Sequence, residues 1–202
     1  MKKGPLGAIA AAATILFLFC ASRLNPLCLR LAPVALFLII LYPYLKRFTW
    51  LCHFGLGLVL GSAPIGGWLA VTGRWEPAIL PLSLGVLLWS AGFDILYALL
   101  DLDFDRAHGV YSIPQRFGIQ TALNLSRLIH LCAVFVFAWF GVLAGLKGWF
   151  WVGWLVVAGL LHYEHALVRP ARLDRINKAF FTVNGWVSVS FFFFTVLGLK
   201  VS

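Results

Sequence analysis

The sequence contains little charge and very little acid. Only 11% of its 202 residues are Asp, Glu, Lys or Arg, and seven of these are acidic. In contrast, 62% of the residues are hydrophobic, and the mean hydropathy is +0.94. A soluble domain of this length cannot bury so much apolar surface. The composition therefore excludes a soluble globular protein and predicts an integral membrane protein.

Long polar segments are also missing. Seven apolar runs are long enough to cross a bilayer, and neither a soluble domain nor a linker separates them. The runs cover residues 6–22, 27–45, 49–72, 77–100, 119–144, 148–165 and 179–199. Runs of about 20 residues favour helices, because a helix of that length matches the hydrocarbon core of a bilayer. The sequence predicts an all-α, multi-span bundle of about seven helices that forms one domain over residues 1–202.

Cysteine pairs of the kind that bind metals are absent. Four cysteines lie in apolar runs without a CxxC spacing, namely Cys20, Cys28, Cys52 and Cys132. This distribution is typical of small residues in a membrane core rather than of disulfides or zinc ligands.

Basic residues are more numerous and give a net charge of +9. If the N-terminus and every second loop share one side, ten basic residues lie there: Lys2, Lys3, Lys46, Arg47, Arg106, Arg116, Arg169, Arg172, Arg175 and Lys178. Four lie on the other side, namely Arg23, Arg74, Lys147 and Lys200, and Arg30 and Arg127 lie within apolar runs. The positive-inside rule places the ten-charge side in the cytoplasm, at a bacterial-type inner membrane. The charge thus reflects membrane topology and not nucleic-acid binding.

Four of the seven acidic residues lie between positions 94 and 105. On one continuous helix, with about 100° per residue, Asp94, Asp101 and Asp105 fall within about 40° of one another, and Asp103 points to the opposite side. Carboxylates on one face repel each other, so the pattern favours a cation between them. Oxygen ligands without Cys or His suit Mg²⁺ better than Zn²⁺. The alternative is a polar helix end whose carboxylates are simply solvated.

The second apolar run ends in Tyr42-Pro43-Tyr44-Leu45-Lys46-Arg47, on the predicted side of the aspartates. Its cations and hydroxyls fit a binding site, and they fit an interfacial aromatic belt with basic anchors equally well. The polar loop 106–118 is predicted to cover or complete the site.

Further polar residues, and the glycines of the third run, allow simpler predictions. His53 is predicted to be interfacial rather than a ligand. The same prediction holds for His162, Glu164 and His165, although the two histidines lie one helical turn apart. The glycines between residues 55 and 67 predict close helix contacts.

Together these pieces favour a lipid diphosphate as ligand. Carboxylates bind Mg²⁺, and Mg²⁺ with Lys46 and Arg47 binds diphosphate, while the apolar body accepts a hydrocarbon tail. Mg²⁺ would stabilise departing diphosphate, and the allylic cation left behind would attack an electron-rich ring.

Three segments resemble the UbiA family of intramembrane prenyltransferases, in particular its 4-hydroxybenzoate polyprenyltransferase-like branch. The first segment is Asp94-x6-Asp101-x3-Asp105, followed by Gly109-x-x-Ser112-x-Pro114-x-Arg116-Phe117-Gly118. The second segment is Tyr42-Pro43-Tyr44-x-Lys46-Arg47-Phe48-Thr49. The third segment is Arg175-x-Asn177-x-Ala179-Phe180-Phe181-x-x-Asn184-Gly185. The first is similar to the family's second aspartate-rich motif, and the second to the segment that supplies a diphosphate-binding lysine.

The resemblance implies an enzyme that transfers a polyprenyl group from a prenyl diphosphate to an aromatic acceptor. The acceptor would be 4-hydroxybenzoate or a related precursor of ubiquinone or menaquinone. Asp101 and Asp105 would hold Mg²⁺, and Asp94 would line the same catalytic site. Lys46, together with Arg47, would bind the diphosphate.

One departure from the family pattern bears on activity. The family has nine helices and two aspartate-rich motifs, whereas the first motif has no counterpart here and the seven runs correspond to helices three to nine. We therefore expect an N-terminally incomplete family member. A non-catalytic membrane paralogue or subunit is one alternative. An ion-coupled transporter with an aspartate relay is another, which the absence of a second acidic cluster disfavours.

Overall fold

The structure is a computed structural model that describes residues 3–170 and 173–200, and every regular element in this part of the chain is helical. The helices are α1 (Lys3–Leu24), α2 (Pro26–Leu45), α3 (Cys52–Thr72), α4 (Leu80–Tyr97), α5 (Leu102–His108), α6 (Ile113–Leu143), α7 (Trp149–Leu167), α8 (Ile176–Lys178) and α9 (Asn184–Lys200). Short 3-10 turns, Pro77–Ile79 and Leu173–Arg175, precede α4 and α8, and a π-helical segment, Ala179–Val183, precedes α9.

Six helical segments in the described residues are long and apolar enough to cross a membrane. They are Gly7–Leu24, Pro26–Leu45, Cys52–Thr72, Pro77–Tyr97, Ile113–Leu143 and Phe181–Leu199. The predicted all-α, multi-span bundle is thus confirmed. The remaining predicted run forms α7, which has 19 residues but is less hydropathic than the others because it ends in His162-Tyr163-Glu164-His165.

Local chemistry explains how the first helices begin and meet. Asn25 caps α2, since its side-chain oxygen accepts a hydrogen bond from the backbone N–H of Cys28 at 3.0 Å, and Pro26 occupies the first helical position. The amide nitrogen of Asn25 also donates to the carbonyl of Leu69 at 2.7 Å. One side chain therefore starts α2 and joins it to the far end of α3, which Gly73 terminates at a φ of 64°.

Glycines allow α3 and α4 to pack closely. A Cβ atom at Gly57 would lie 2.6 Å from the carbonyl oxygen of Leu87, and one at Gly61 would lie 2.8 Å from that of Ser83. The predicted close contacts are thus confirmed for this part of α3. They do not extend to Gly66 and Gly67, where an added Cβ would meet nothing within 4 Å.

The core lies between α4, α6, α7 and the start of α9. Ile95, Leu123, Val157 and Ile176 belong to this buried cluster. The hydroxyl of Ser126 donates to the carbonyl of Gly92 at 2.7 Å and so joins α6 to α4. This packing holds the C-terminal end of α4 against the segments that carry the polar residues described next.

Candidate functional site

Two connections meet at the C-terminal ends of α2 and α4. The backbone N–H of Tyr111 donates to the carbonyl of Lys46 at 2.8 Å, so the α5–α6 connection is tied to the α2–α3 connection. Trp50 and Phe117 reinforce this link through an edge-to-face contact with ring centroids 5.1 Å apart. The predicted polar loop 106–118 is shorter than expected, because α5 ends at His108 and α6 begins at Ile113, and the remaining connection packs against the segment that carries Lys46.

Lys46 lies between two aspartates. Its Nζ is 3.5 Å from Oδ2 of Asp101 and 3.5 Å from Oδ1 of Asp105. The Asp105 side chain is 1% exposed, whereas that of Asp101 is 50% exposed. Oδ2 of Asp105 is buried and has no hydrogen-bond partner among the described residues. The cluster thus pairs a cation with two carboxylates and leaves one buried oxygen available to a further donor or cation.

The charge of Lys46 is stabilised by these neighbours. Partial burial by itself would lower the pKa of Lys46, but the carboxylates of Asp105 and Asp101, in that order, outweigh burial and raise the pKa above its ordinary value. Lys46 is therefore fully protonated at neutral pH and can meet an anionic ligand as a cation.

Asp94 has a different partner. Its Oδ2 lies 2.7 Å from Nδ1 of His53, a side chain with no exposed surface. The other ring nitrogen, Nε2, accepts a hydrogen bond from the backbone N–H of Ile113 at 3.2 Å. Because Nε2 faces a donor, the proton of a neutral His53 lies on Nδ1 and is donated to Asp94. The prediction that His53 is interfacial is therefore wrong, since the ring is buried between α3, α4 and the start of α6.

The structure also corrects the prediction that Asp94, Asp101 and Asp105 lie on one face of a continuous helix. The predicted continuous helix ends at Tyr97, and the turns over 98–101 are held by i to i+3 hydrogen bonds such as that from the Asp101 N–H to the Ala98 carbonyl. The break changes the helical register, so Asp94 faces His53 while Asp101 and Asp105 face Lys46. Among the described residues, no group of three or more His, Cys, Asp or Glu side chains is arranged to hold a metal ion.

The remaining predicted residues lie at the edge of this cluster. Asp103 is exposed, in agreement with its predicted outward direction. Arg47 is exposed as well, and its guanidinium carbon lies 5.4 Å from the centre of the Tyr44 ring. The structure thus places Lys46, and not Arg47, against the aspartates. Cys52 is a free thiol whose Sγ lies 3.6 Å from the carbonyl of Tyr111, and the other three cysteines are free too.

A largely apolar cavity of about 390 Å³ lies one helical turn from Asp94, between α3, α4 and α9. Its wall includes Leu60, Phe93, Ser90 and Asn184. The hydroxyl of Ser90 is buried and has no hydrogen-bond partner among the described residues. This cavity offers an apolar space next to the polar end of the bundle.

Sequence reasoning missed a polar ring that joins four helices. Trp89 Nε1 donates to Asn184 Oδ1 at 2.9 Å, and Asn184 Nδ2 donates to Glu164 Oε1 at 3.2 Å. Glu164 Oε2 lies 3.5 Å from His130 Nδ1, and His130 Nε2 donates to the carbonyl of Trp89 at 3.1 Å. His165 joins the ring through a 3.0 Å contact between its Nε2 and His130 Nδ1.

The predicted interfacial position of Glu164 is therefore wrong, whereas His165 is partly buried at the groove between α6 and α7. Glu164 is 1% exposed because its side chain points to α9, while His162 on the same helix is exposed. The available signal was the set of isolated polar residues within apolar runs, namely His130, Glu164 and Asn184, since polar groups inside a membrane bundle need partners.

Comparison with known proteins identifies the fold and the family. Residues 3–196 match the UbiA prenyltransferase family, to which the chain therefore belongs. The chain is similar to the 4-hydroxybenzoate octaprenyltransferase of Alkalilimnicola ehrlichii, with 32% identity over 88% of this chain and 60% of that protein. It is also similar to the 4-hydroxybenzoate octaprenyltransferase of Coxiella burnetii strain RSA 493, with 30% identity over 89% of this chain and 60% of that protein. The chain thus spans about 60% of the length of the curated relatives it matches.

Two solved structures share the fold. The apo structure of a UbiA homologue from Aeropyrum pernix K1 superposes with a TM-score of 0.88 at 31% identity, over 98% of this chain and 74% of that one. A structure described for digeranylgeranylglyceryl phosphate synthase superposes with a TM-score of 0.74 over 98% of this chain and 70% of that one. Because its sequence identity is only 20%, it supports the fold alone.

Proposed function

We propose that the chain acts in the transfer of a polyprenyl group from a prenyl diphosphate to an aromatic acceptor, such as 4-hydroxybenzoate or a related quinone precursor. The observation that carries the proposal is the position of Lys46, 3.5 Å from both Asp101 and Asp105 at the polar end of an apolar bundle. Membership of the prenyltransferase family and the names of the two octaprenyltransferases support the reaction class.

The aspartates fit a magnesium ion. Asp105 has a buried oxygen without a partner, Asp101 is half exposed, and both are hard oxygen ligands. Mg²⁺ is usually bound by one or two carboxylates together with water and substrate phosphates, so a site without a third carboxylate is sufficient. Asp101 and Asp105 would hold the ion, which would neutralise charge on the departing diphosphate.

The chain's own residues have separate tasks in this proposal. Lys46 binds the diphosphate as a cation, and exposed Arg47 extends the basic surface at which the diphosphate arrives. The cavity of about 390 Å³ beside Asp94 accepts the first part of the prenyl chain and excludes water from the reacting carbon. His53 holds the Asp94 carboxylate in one orientation.

We also infer that this end of the bundle faces the cytoplasm of an inner membrane. Basic residues are concentrated in the described connections of this end, namely Lys46, Arg47, Arg106, Arg116, Arg169 and Arg175, which agrees with the positive-inside rule. Two of the ten residues counted from the sequence, Lys2 and Arg172, lie outside the described residues.

The proposal is tested with the 202-residue chain reconstituted in liposomes. Prenylated product is measured by mass spectrometry from a prenyl diphosphate and 4-hydroxybenzoate, with Mg²⁺ or with EDTA, and binding of the prenyl diphosphate is measured separately. We expect product only with Mg²⁺, and a loss of about 100-fold or more in Lys46→Ala. Asp103→Asn is the control, because this carboxylate is exposed and should leave turnover unchanged.

The two measurements separate the alternatives. Binding without product would favour a non-catalytic membrane paralogue and overturn the transferase assignment. Binding that Lys46→Ala does not weaken would overturn the assignment of the diphosphate to this cluster.

A further inference from the structure

A second large groove lies between α6 and α7. It has a volume of about 680 Å³ and shares no residue with the Lys46 cluster or with the cavity beside Asp94. Its polar wall consists of Arg127, His130, His162, His165 and Arg169, and the rest of its lining is aliphatic. The groove is thus a separate surface feature with basic side chains at one end and apolar walls.

The groove lining itself contains no carboxylate. Glu164 lies behind the lining, where Oε1 accepts from Asn184 and Oε2 lies 3.5 Å from Nδ1 of His130. Among the residues whose side chains the structure describes, no Asp or Glu lies within ion-pair distance of Arg127 or Arg169. The two arginines of the groove are therefore left without an acidic partner that the structure describes, and an anionic ligand would supply one.

Arg127 lies within the membrane-spanning part of α6, and this position makes its lack of an acidic partner informative. Arg127 lies inside the membrane-spanning segment Ile113–Leu143, nine residues beyond the break at Gly118, which is about 14 Å along the helix. Its side chain is exposed on the outside of the bundle. An arginine at this position is costly unless an anion meets it or its guanidinium reaches the headgroup region.

The apolar surface next to the groove indicates the rest of the ligand. Large exposed hydrophobic side chains continue along α6 away from Arg127, namely Leu131, Phe135, Trp139 and Val142. A molecule with an anionic head and hydrocarbon tails matches both parts, since arginine forks bind phosphate oxygens and the tails lie on the apolar face.

We propose that the α6–α7 groove binds the phosphate of an anionic membrane phospholipid, with Arg127 and Arg169 as its ligands and the acyl chains along α6. Basic pockets between membrane helices on the side with excess positive charge are suited to such lipids. A phospholipid fits better than a prenyl diphosphate, because the groove is on the exposed outer face and does not communicate with the Lys46 cluster. The proposal does not depend on the proposed transferase function.

The test uses the purified 202-residue chain in neutral detergent, with phosphatidylglycerol or phosphatidylcholine of identical acyl chains. Thermal unfolding and lipid adducts in native mass spectra are recorded. We expect phosphatidylglycerol to raise Tm by about 5 °C more than phosphatidylcholine near saturation, and to give one retained adduct. Arg127→Gln/Arg169→Gln should abolish both effects.

Arg30→Gln is the matched control. Arg30 is also an exposed arginine in a membrane-spanning helix, but it does not line the groove, so its loss should leave the preference for phosphatidylglycerol intact. If the double variant fails to fold, the adduct is measured on Arg169→Gln alone, which lies beyond the end of α7 and should weaken retention at least tenfold.

Three results would overturn the proposal. The first is equal stabilisation by the two lipids, and the second is an unchanged adduct in the arginine variants. The third is displacement of phosphatidylglycerol by inorganic phosphate or by geranyl diphosphate at equal concentration, which would reassign the groove to a free anion or to the prenyl donor.

Discussion

The chain uses acidic residues in two regions that differ in almost every physical respect. At the start of α5, Asp101 and Asp105 face a lysine, and Asp101 is half exposed. Between the membrane helices, Glu164 is buried in a ring whose other members are an amide, two imidazoles and an indole. Each region keeps one buried carboxylate oxygen without a hydrogen-bond partner, Oδ2 of Asp105 and Oε2 of Glu164, but only the first region includes a cation and a half-exposed carboxylate.

The difference teaches that a carboxylate inside a membrane protein does not by itself mark a ligand site. In the ring, hydrogen bonds to an amide, an indole and imidazoles link α4, α9, α7 and α6, and the gain is the association of helices. In the Lys46 cluster, the carboxylates face a single cation, and Asp101 is open to solvent, so a ligand can reach the charges. Replacement of the charge by a neutral group of the same shape therefore distinguishes the two regions.

The largest expected effect is on turnover. Asp105→Asn should lower prenyl transfer by about 100-fold or more, because an amide cannot balance Lys46 or bind a divalent cation as a carboxylate does. The equivalent change in the ring, Glu164→Gln, should leave turnover within about threefold, since an amide oxygen still accepts from Asn184 and its N–H can donate to His130. Steady-state rates of prenyl transfer by both variants in liposomes test this contrast. Equal losses of rate would contradict the distinction between the two regions.

The next effect concerns His53, which touches Asp94 and not the substrate in our proposal. His53→Ala should lower kcat by about 10-fold to 100-fold with little change in KM for the prenyl diphosphate. His53→Gln should restore most of the rate, because its amide can donate to Asp94 and accept from the Ile113 N–H. A rise in KM with unchanged kcat, or no recovery with glutamine, would refute this positioning role.

A smaller effect is expected on the stability of the ring. Glu164→Ala should destabilise the folded chain by about 1–3 kcal/mol, because Asn184 and His130 lose a buried partner. Glu164→Gln should cost much less, for the reason given above. Reversible denaturation in mixed micelles measures both variants, and similar losses would mean that the charge of Glu164, and not its hydrogen bonds, stabilises the bundle.

The smallest effect is that of Lys46 on stability. Its pair with Asp101 is partly exposed, and the glutamine amide can still donate to the buried Asp105, so Lys46→Gln should cost only about 1 kcal/mol at neutral pH. Because the folded pKa of Lys46 is raised, this contribution is complete below the ordinary lysine pKa and is lost as the pH rises through the folded value. The Tm difference between the parent and Lys46→Gln, followed from pH 7 to pH 11, should shrink only at the alkaline end. A difference that disappears near neutral pH would contradict the assignment.

Several features of the site followed from local sequence. The Asp94, Asp101 and Asp105 spacing identified the segment, and Asp103, which was predicted to point away from these three, is exposed. The Lys46 motif was recognised as well, and Lys46 does contact Asp101 and Asp105. The assignment of these residues to Mg²⁺ and diphosphate stays a prediction.

Other features could not be predicted because they depend on residues far apart in the chain. His53 and Asp94 are separated by 41 positions, and His53 and Ile113 by 60. The helix break after Tyr97, which separates Asp94 from Asp101, lies in a stretch whose sequence predicts a continuous helix. Its residues Ala98, Leu99 and Leu100 are all good helix formers, so propensity gives no sign of the break.

Hydropathy, run length and loop charge are properties of consecutive residues, and they were enough to predict the membrane setting, the all-helical architecture and the side on which the polar motifs collect. The partner of each polar side chain depends instead on how the helices pack. Lys46 contacts Asp101 and Asp105, His53 contacts Asp94, and the side chain of Glu164 points inward to Asn184. Within an apolar bundle a polar group takes the nearest hydrogen-bonding partner that packing provides, and that partner belongs to another helix.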